Sequence, residues 1–418
     1  MPRFSKNFMI GAATAAHQVE GNNISSDCWV MEQLPHSIYK EKSLDAVDHY
    51  RHYEEDIRLL AEAGLNAFRF SIEWARIQPE PDLWEENEIE HYRNVIKCCR
   101  KNGVEPIITM HHFSSPKWLI QRGGWENPKT ADLFASYCEY VVKKLGEDMC
   151  YVCTINEANM GLQLGKLIRN RQQMEKHNVQ VGLNTDSMKN RMLSMKEAGE
   201  AFGVDPQKIN MFLSPRTVFG DGVIIEAHRK ARNAMKVACP HLKIGLTLSL
   251  HDFQALPGGE HRAEIEWIEE FIHYLPYIDQ DDFIGVQCYT RKLMGPEGVV
   301  QPDETALRTQ MGYEDYPAAV VNVTRKVAEH FQGDIIITEN GISTADDNRR
   351  IEFIREVIDG LKGCVASGIP LKGYLHWSLL DNFEWQLGFA RTFGLIAVDR
   401  GTQIRYPKDS LSFLGSQR

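Results

Sequence analysis

Short apolar runs alternate with longer amphipathic stretches along nearly the whole chain. Residues 9–13, 65–71, 104–111, 150–156, 243–249, 282–289, 334–339 and 372–377 have the length and character of eight strands. Between them, residues 48–63, 87–101, 129–145, 222–238 and 348–366 read as helices. In the first of these, Tyr50, Tyr53, Ile57, Leu60 and Ala61 recur at helical spacing. Strands alternating with helices imply a parallel sheet joined by crossovers. Eight such units with no linker between them suit a closed (β/α)8 barrel of the TIM type better than an open doubly wound sheet. The expectation is therefore a single α/β barrel domain over 1–418. No GxGxxG loop follows any strand, which removes the usual signature of dinucleotide binding.

One stretch interrupts the alternation. From 160 to 242 the chain is long, charged and methionine-rich before the fifth strand begins, with Met174, Met188, Met192, Met195 and Met211 among Lys166, Arg169, Arg171, Lys189 and Arg191. It is expected to supply extra helices packed on the barrel, an elaboration after strand four. The alternative is a wall beside the leaving group, since loops after barrel strands build active sites.

Composition narrows the class. Of the residues 43% are hydrophobic and 25% charged, and 47 Lys plus Arg stand against 57 Asp plus Glu, a net charge of -10. That balance disfavours nucleic acid or an anionic membrane as partner. The apolar run from Phe8 to Ala16 is short for a signal peptide, and no stretch reaches the ~20 apolar residues of a membrane span. The nine cysteines are scattered, and the one CxxC, Cys150 to Cys153, lacks the second pair a metal site of that type needs. Free buried thiols in a reducing cytoplasm are expected, with no metal and no cofactor.

Candidate chemistry gathers at the C-terminal ends of the expected strands, where a barrel carries its active site. Arg69 and Ser71 end the second, His111 and His112 the third, Asn156 and Glu157 the fourth. Tyr289 ends the sixth, Glu339 and Asn340 the seventh, and Trp377 the eighth. Carboxylates from strands four and seven would face each other across the barrel mouth. Glycoside hydrolysis requires such a pair, one protonating the leaving oxygen and one meeting the developing oxocarbenium ion. Adjacent histidines on a strand point to opposite faces, so only one of His111 and His112 can line the pocket, and a metal there is not expected.

These residues sit in segments that resemble family 1 of the glycoside hydrolases over nearly the whole chain. Thr154-Ile155-Asn156-Glu157-Ala158 is similar to that family's acid/base motif and Ile337-Thr338-Glu339-Asn340-Gly341 to its nucleophile motif. FMIGAATAAHQVEG near the start, AFRFSIEWARI around Arg69 and HWSLLDNFEW from His376 to Trp385 add to the match. The resemblance implies a retaining exo-β-glycosidase. Glu157 would be its acid/base and Glu339 its nucleophile, with Arg69 and Tyr289 hydrogen-bonded to Glu339. It implies further that Asn156 holds the sugar 2-hydroxyl. Gln18, His111 and Trp385 would take the 3- and 4-hydroxyls, Glu384 the 4- and 6-hydroxyls, and Trp377 would lie beneath the ring. Glu384 would repel a 6-phosphate, so the implied substrates are unphosphorylated β-D-glucosides, β-galactosides or β-fucosides, as small molecules or oligosaccharides. Acceptor sugars or alcohols would compete with water. The alternatives are a silent carbohydrate-binding barrel, which typically lacks one carboxylate, and an endo-acting retaining glycanase. Two departures stand out: Gln287-Cys288-Tyr289 where the family has Asn and two aromatics, and His111-His112-Phe113 in place of a His-Trp-Asp run.

Overall fold

The computed structural model describes residues 3–167 and 185–418. Eight parallel strands close into a barrel: β1 Met9–Ala13, β2 Ala67–Ser71, β3 Glu105–His111, β4 Tyr151–Ile155, β5 Lys243–Ser249, β6 Phe283–Gln287, β7 Asp334–Asn340 and β8 Leu371–Trp377. Each pairs with its neighbours in sequence, and β8 closes on β1 with Ala13 beside Trp377. The expected (β/α)8 barrel is what forms. The eight expected runs are its eight strands, although β6 stops at Gln287 and leaves Cys288 and Tyr289 to the loop beyond.

Helices cover the outside of such a sheet and opposing strands fill the inside, so both faces are buried and the strands read as continuous apolar runs. Met9, Ala67, Ile107, Cys153, Phe283, Ile336 and Leu375 pack the interior. Ile10, Phe68, Ile108, Val152, Ile244, Ile284 and Tyr374 face the helices. One layer above the apolar interior, the inward positions turn polar at Arg69, Thr109, Thr247 and Gln287, all fully buried. That change of chemistry marks where packed core gives way to pocket.

The helix preceding β5 runs over Val218–Ala238, a turn earlier than its apolar period suggests. The Thr217 hydroxyl accepts from the Gly220 amide at 3.0 Å and caps it, while Val218 and Phe219 stand exposed and break the pattern. In the elaboration after β4, a helix over Thr185–Phe202 packs Ala198 and Phe202 against Leu34 and Ile120, on the outside of the loops that follow β1 and β3. Met192 and Met195 are exposed, Met211 is half-buried against this cluster, and Lys166 pairs with Glu266 at 2.6 Å and Glu269 at 2.8 Å. Met174, Arg169 and Arg171 lie outside the described residues. All nine cysteines are free thiols. Among the described residues no helix is long and apolar enough to cross a membrane.

Candidate active site

Strand alternation is broken at the C-terminal ends of three strands, and each break turns a polar side chain toward the barrel mouth. On β4, Cys153 faces inward, but both Thr154 and Ile155 face the helices, Thr154 bonding His228 at 2.8 Å. Asn156 then turns in, and Glu157 follows with φ of 44°, in the left-handed region that an L side chain enters only at a cost. Its amide donates to the Thr247 hydroxyl at 3.1 Å. On β7 the register slips between Ile337 and Glu339, which sets Glu339 directly beside Gln287 of β6. The next residue but one is glycine because a Cβ on Gly341 would lie 1.9 Å from the Trp377 carbonyl oxygen.

Glu339 is held by three side chains. Arg69 Nη1 donates to Oε1 at 2.6 Å, Gln287 Nε2 to Oε1 at 3.0 Å, and the Tyr289 hydroxyl to Oε2 at 2.7 Å. Arg69 is fully buried and satisfied on every nitrogen: Nε bonds Thr109 at 2.9 Å and Nη2 bonds Asn156 Oδ1 at 2.6 Å. Asn156 Oδ1 also accepts from Gln287 Nε2 at 2.7 Å, so its own amide must point away, toward His112 Nε2 at 3.1 Å.

Glu157 and Glu339 form a coupled buried pair in which both carboxyls are raised above the ordinary range by burial. Glu157 is raised well above it, by burial first and the Glu339 charge second. For Glu339, Arg69 and Tyr289 oppose the rise. The proton shared by the pair therefore resides on Glu157 and the charge on Glu339. Desolvation that raises an acid, beside donors that hold a second one ionised, is the arrangement that lets two carboxyls play opposite parts at one pH.

Around this centre lies the rim. Gln18 is buried, its Nε2 donating to the Phe383 carbonyl at 2.7 Å and to Asn382 Oδ1 at 3.2 Å, with Glu384 Oε2 at 3.5 Å. Its Oε1 has no partner among the described residues. Burial and the Glu339 charge push the Glu384 carboxyl up to about 7, with Gln18 and Arg391 opposing. Trp377 ends β8, its ring 5.6 Å from His112, and Trp385 (φ 47°) stacks on His17 at 5.6 Å. The structure thus gathers Glu157, Glu339, Arg69, Tyr289, Asn156, Gln18, Trp377, Glu384 and Trp385 at one end of the barrel.

His111 is the exception. Met110 and His111 both lie in the outer aromatic layer, where His111 meets Trp125 and Phe212, each at 4.8 Å, and bonds Ser115 at 3.0 Å. The alternation followed by Ile107 and Thr109 fails at His111, the strand's last residue, so His112 faces the pocket and His111 does not. The expected contact of His111 with sugar hydroxyls is corrected to that extent. Burial and the nearby Arg69 lower the His112 pKa far below its usual value and keep the ring neutral. Gln287 is the residue sequence reasoning left without a role. It shares the inward parity of Phe283 and Gly285 on β6, and a polar side chain at that parity above an apolar interior was the available signal.

The sequence profile described as "Glycosyl hydrolase family 1" matches residues 1–170 and 271–417. The crystal structure of "beta-glycosidase BGL167" superposes with a TM-score of 0.90 at 40% identity, covering 99% of this chain and 96% of that one. "Beta-glucosidase A" of Thermotoga maritima is 28% identical over 98% of this chain and 96% of its own length. The "Bifunctional beta-D-glucosidase/beta-D-fucosidase" of Bifidobacterium breve is 26% identical over 98% and 97% respectively.

Proposed function

The chain belongs to glycosyl hydrolase family 1, and from that premise we propose that it removes terminal, unphosphorylated β-D-glucosyl, β-galactosyl or β-fucosyl groups by double displacement. Protonated Glu157 gives its proton to the glycosidic oxygen as the C1–O bond breaks. The Glu339 carboxylate bonds to C1 and forms a glycosyl ester. Glu157, now ionised, takes a proton from water, whose oxygen displaces Glu339 and restores the β-configuration. An acceptor hydroxyl in place of water gives transglycosylation.

What carries this proposal is the opposed protonation of the two carboxyls: three donors converge on Glu339 and leave the shared proton to Glu157. Asn156 would donate to the 2-hydroxyl, Gln18, His112 and Glu384 would take the remaining hydroxyls, and Trp377 would lie under the ring. A carboxyl at Glu384, in place of cationic or small groups, supports an unphosphorylated C6. Both carboxyls being present speaks against a silent binding protein.

The test is initial rates on aryl β-D-glucosides, galactosides, fucosides, xylosides and 6-phosphoglucosides, with the product anomer followed by NMR and Glu339→Ala as control. Turnover of an unphosphorylated member with the β-anomer appearing first, and none in the control, is expected. First appearance of the α-anomer, or turnover of the 6-phosphoglucoside alone, would overturn the proposal.

A further inference from the structure

The geometry points to Gln287 as a positioning residue that ties the nucleophile to the group reading the sugar 2-hydroxyl, so that the two are set as one unit. Its side chain is fully buried, and its Nε2 donates to Asn156 Oδ1 at 2.7 Å and to Glu339 Oε1 at 3.0 Å. The amide has one hydrogen for each. Thr247 Oγ1 lies beyond at 3.4 Å, and that hydroxyl in turn accepts from the Glu157 amide at 3.1 Å.

The orientation of both amides is forced. Turning Gln287 over would press its oxygen against a carboxylate oxygen and a carbonyl oxygen. Turning Asn156 over would aim its NH2 at the Arg69 guanidinium. Because Arg69 and Gln287 both donate to Asn156 Oδ1, the Asn156 NH2 can only face His112 and the space a sugar would enter. The register slip on β7 makes this bridge reachable, since it brings Glu339 rather than Thr338 level with Gln287. Gln287 reaches no atom of the sugar in this scheme. It acts through Glu339, whose charge it favours, and through Asn156, whose donor it aims.

The inference rests on the glycosidase reading above, and its test separates the two. Gln287→Met keeps the volume and removes the donor, so it is compared with the unsubstituted enzyme on an aryl β-glucoside and its 2-deoxy counterpart across pH. Loss of one hydrogen bond to a charged group predicts a fall in kcat of roughly 10- to 100-fold with KM little changed. Removing a donor from the ionised form raises the Glu339 pKa, so the acidic limb of kcat/KM moves to higher pH. The preference for the 2-hydroxy over the 2-deoxy substrate shrinks, because Asn156 is no longer aimed. Gln287→Asn keeps a donor on a side chain one methylene shorter, and is expected to recover at most one of the two effects. An acidic limb and a 2-hydroxy preference both unchanged in Gln287→Met would overturn the proposal. So would an equal loss on both substrates accompanied only by a lowered Tm, the mark of a structural role. No turnover of any member of the glycoside panel by the unsubstituted enzyme would sink the function and this inference together.

Discussion

At the floor of the pocket each guanidinium nitrogen of Arg69 has a protein partner, and three donors meet on Glu339. Among the described residues, Gln18 Oε1 and Arg391 Nε at the rim are buried without a protein partner, and so are Gln287 Oε1 and His112 Nδ1 at the floor. The floor residues stand on or just beyond strands β2, β4, β6 and β7, whereas Gln18, Glu384 and Trp385 stand on loops and single turns. A buried polar atom with no partner is costly unless a ligand or water completes it. The donors to Glu339 are therefore organised in advance for charge on strand ends, and on the proposed function it is the loop-borne rim that meets a substrate's hydroxyls. Preorganised donors to a charged group act mainly on the barrier, while contacts made equally to ground and transition state act mainly on KM.

The largest effect that would sharpen this contrast is expected from Arg69→Met. It strands Glu339 with two donors, so the carboxyl takes up a proton at higher pH and the acidic limb of kcat/KM moves up. Removing one partner of a buried pair also costs stability, about 3–5 kcal/mol by denaturant unfolding. An Arg69→Met enzyme as stable as the parent, with an unmoved acidic limb, would dissolve the distinction.

Next in size is the histidine pair. His112→Ala removes the partner of the Asn156 amide and should lower kcat/KM roughly 10-fold with little change in Tm. His111→Ala opens the aromatic layer behind the wall and should cost ~1–3 kcal/mol of stability while leaving the pH profile in place. The reverse pattern would restore His111 to the pocket and refute the slip at the end of β3.

The smallest effect belongs to the rim. In the parent, burial and the Glu339 charge push the Glu384 carboxyl up to about 7. As pH falls through that value it gains a proton and loses its charge and part of its acceptor capacity, so KM for a glucoside should rise on the acid side. Glu384→Gln should raise KM roughly 10-fold, keep most of kcat, and abolish that dependence of KM on pH. A kcat loss as large as that of Arg69→Met would place Glu384 with the floor.

The barrel was legible because its strands are buried on both faces and so read as apolar runs at regular intervals. The gathering of Glu157, Glu339, Arg69 and Tyr289 at the barrel mouth was legible because strand ends concentrate polar residues and their surrounding segments carry a family resemblance. His112 was not, because alternation was extended one residue past the point where β3 abandons it, and that slip is set by the aromatic layer of Trp125 and Phe212 rather than by local sequence. Gln287 was noticed as a departure but given no role, since its worth lies in two oxygens contributed by β4 and β7, far away in sequence. The start of the helix at Val218 was hidden by two exposed apolar residues.

On the proposed mechanism Glu339 bonds covalently to the sugar. A 2-deoxy-2-fluoro β-glucoside with a good leaving group slows both displacements, and the slower second one lets the ester accumulate. Peptide mass spectrometry of the inactivated enzyme should find one fluoroglycosyl group, on Glu339. A label on Glu157, or time-dependent inactivation with no covalent mass increase, would contradict the account.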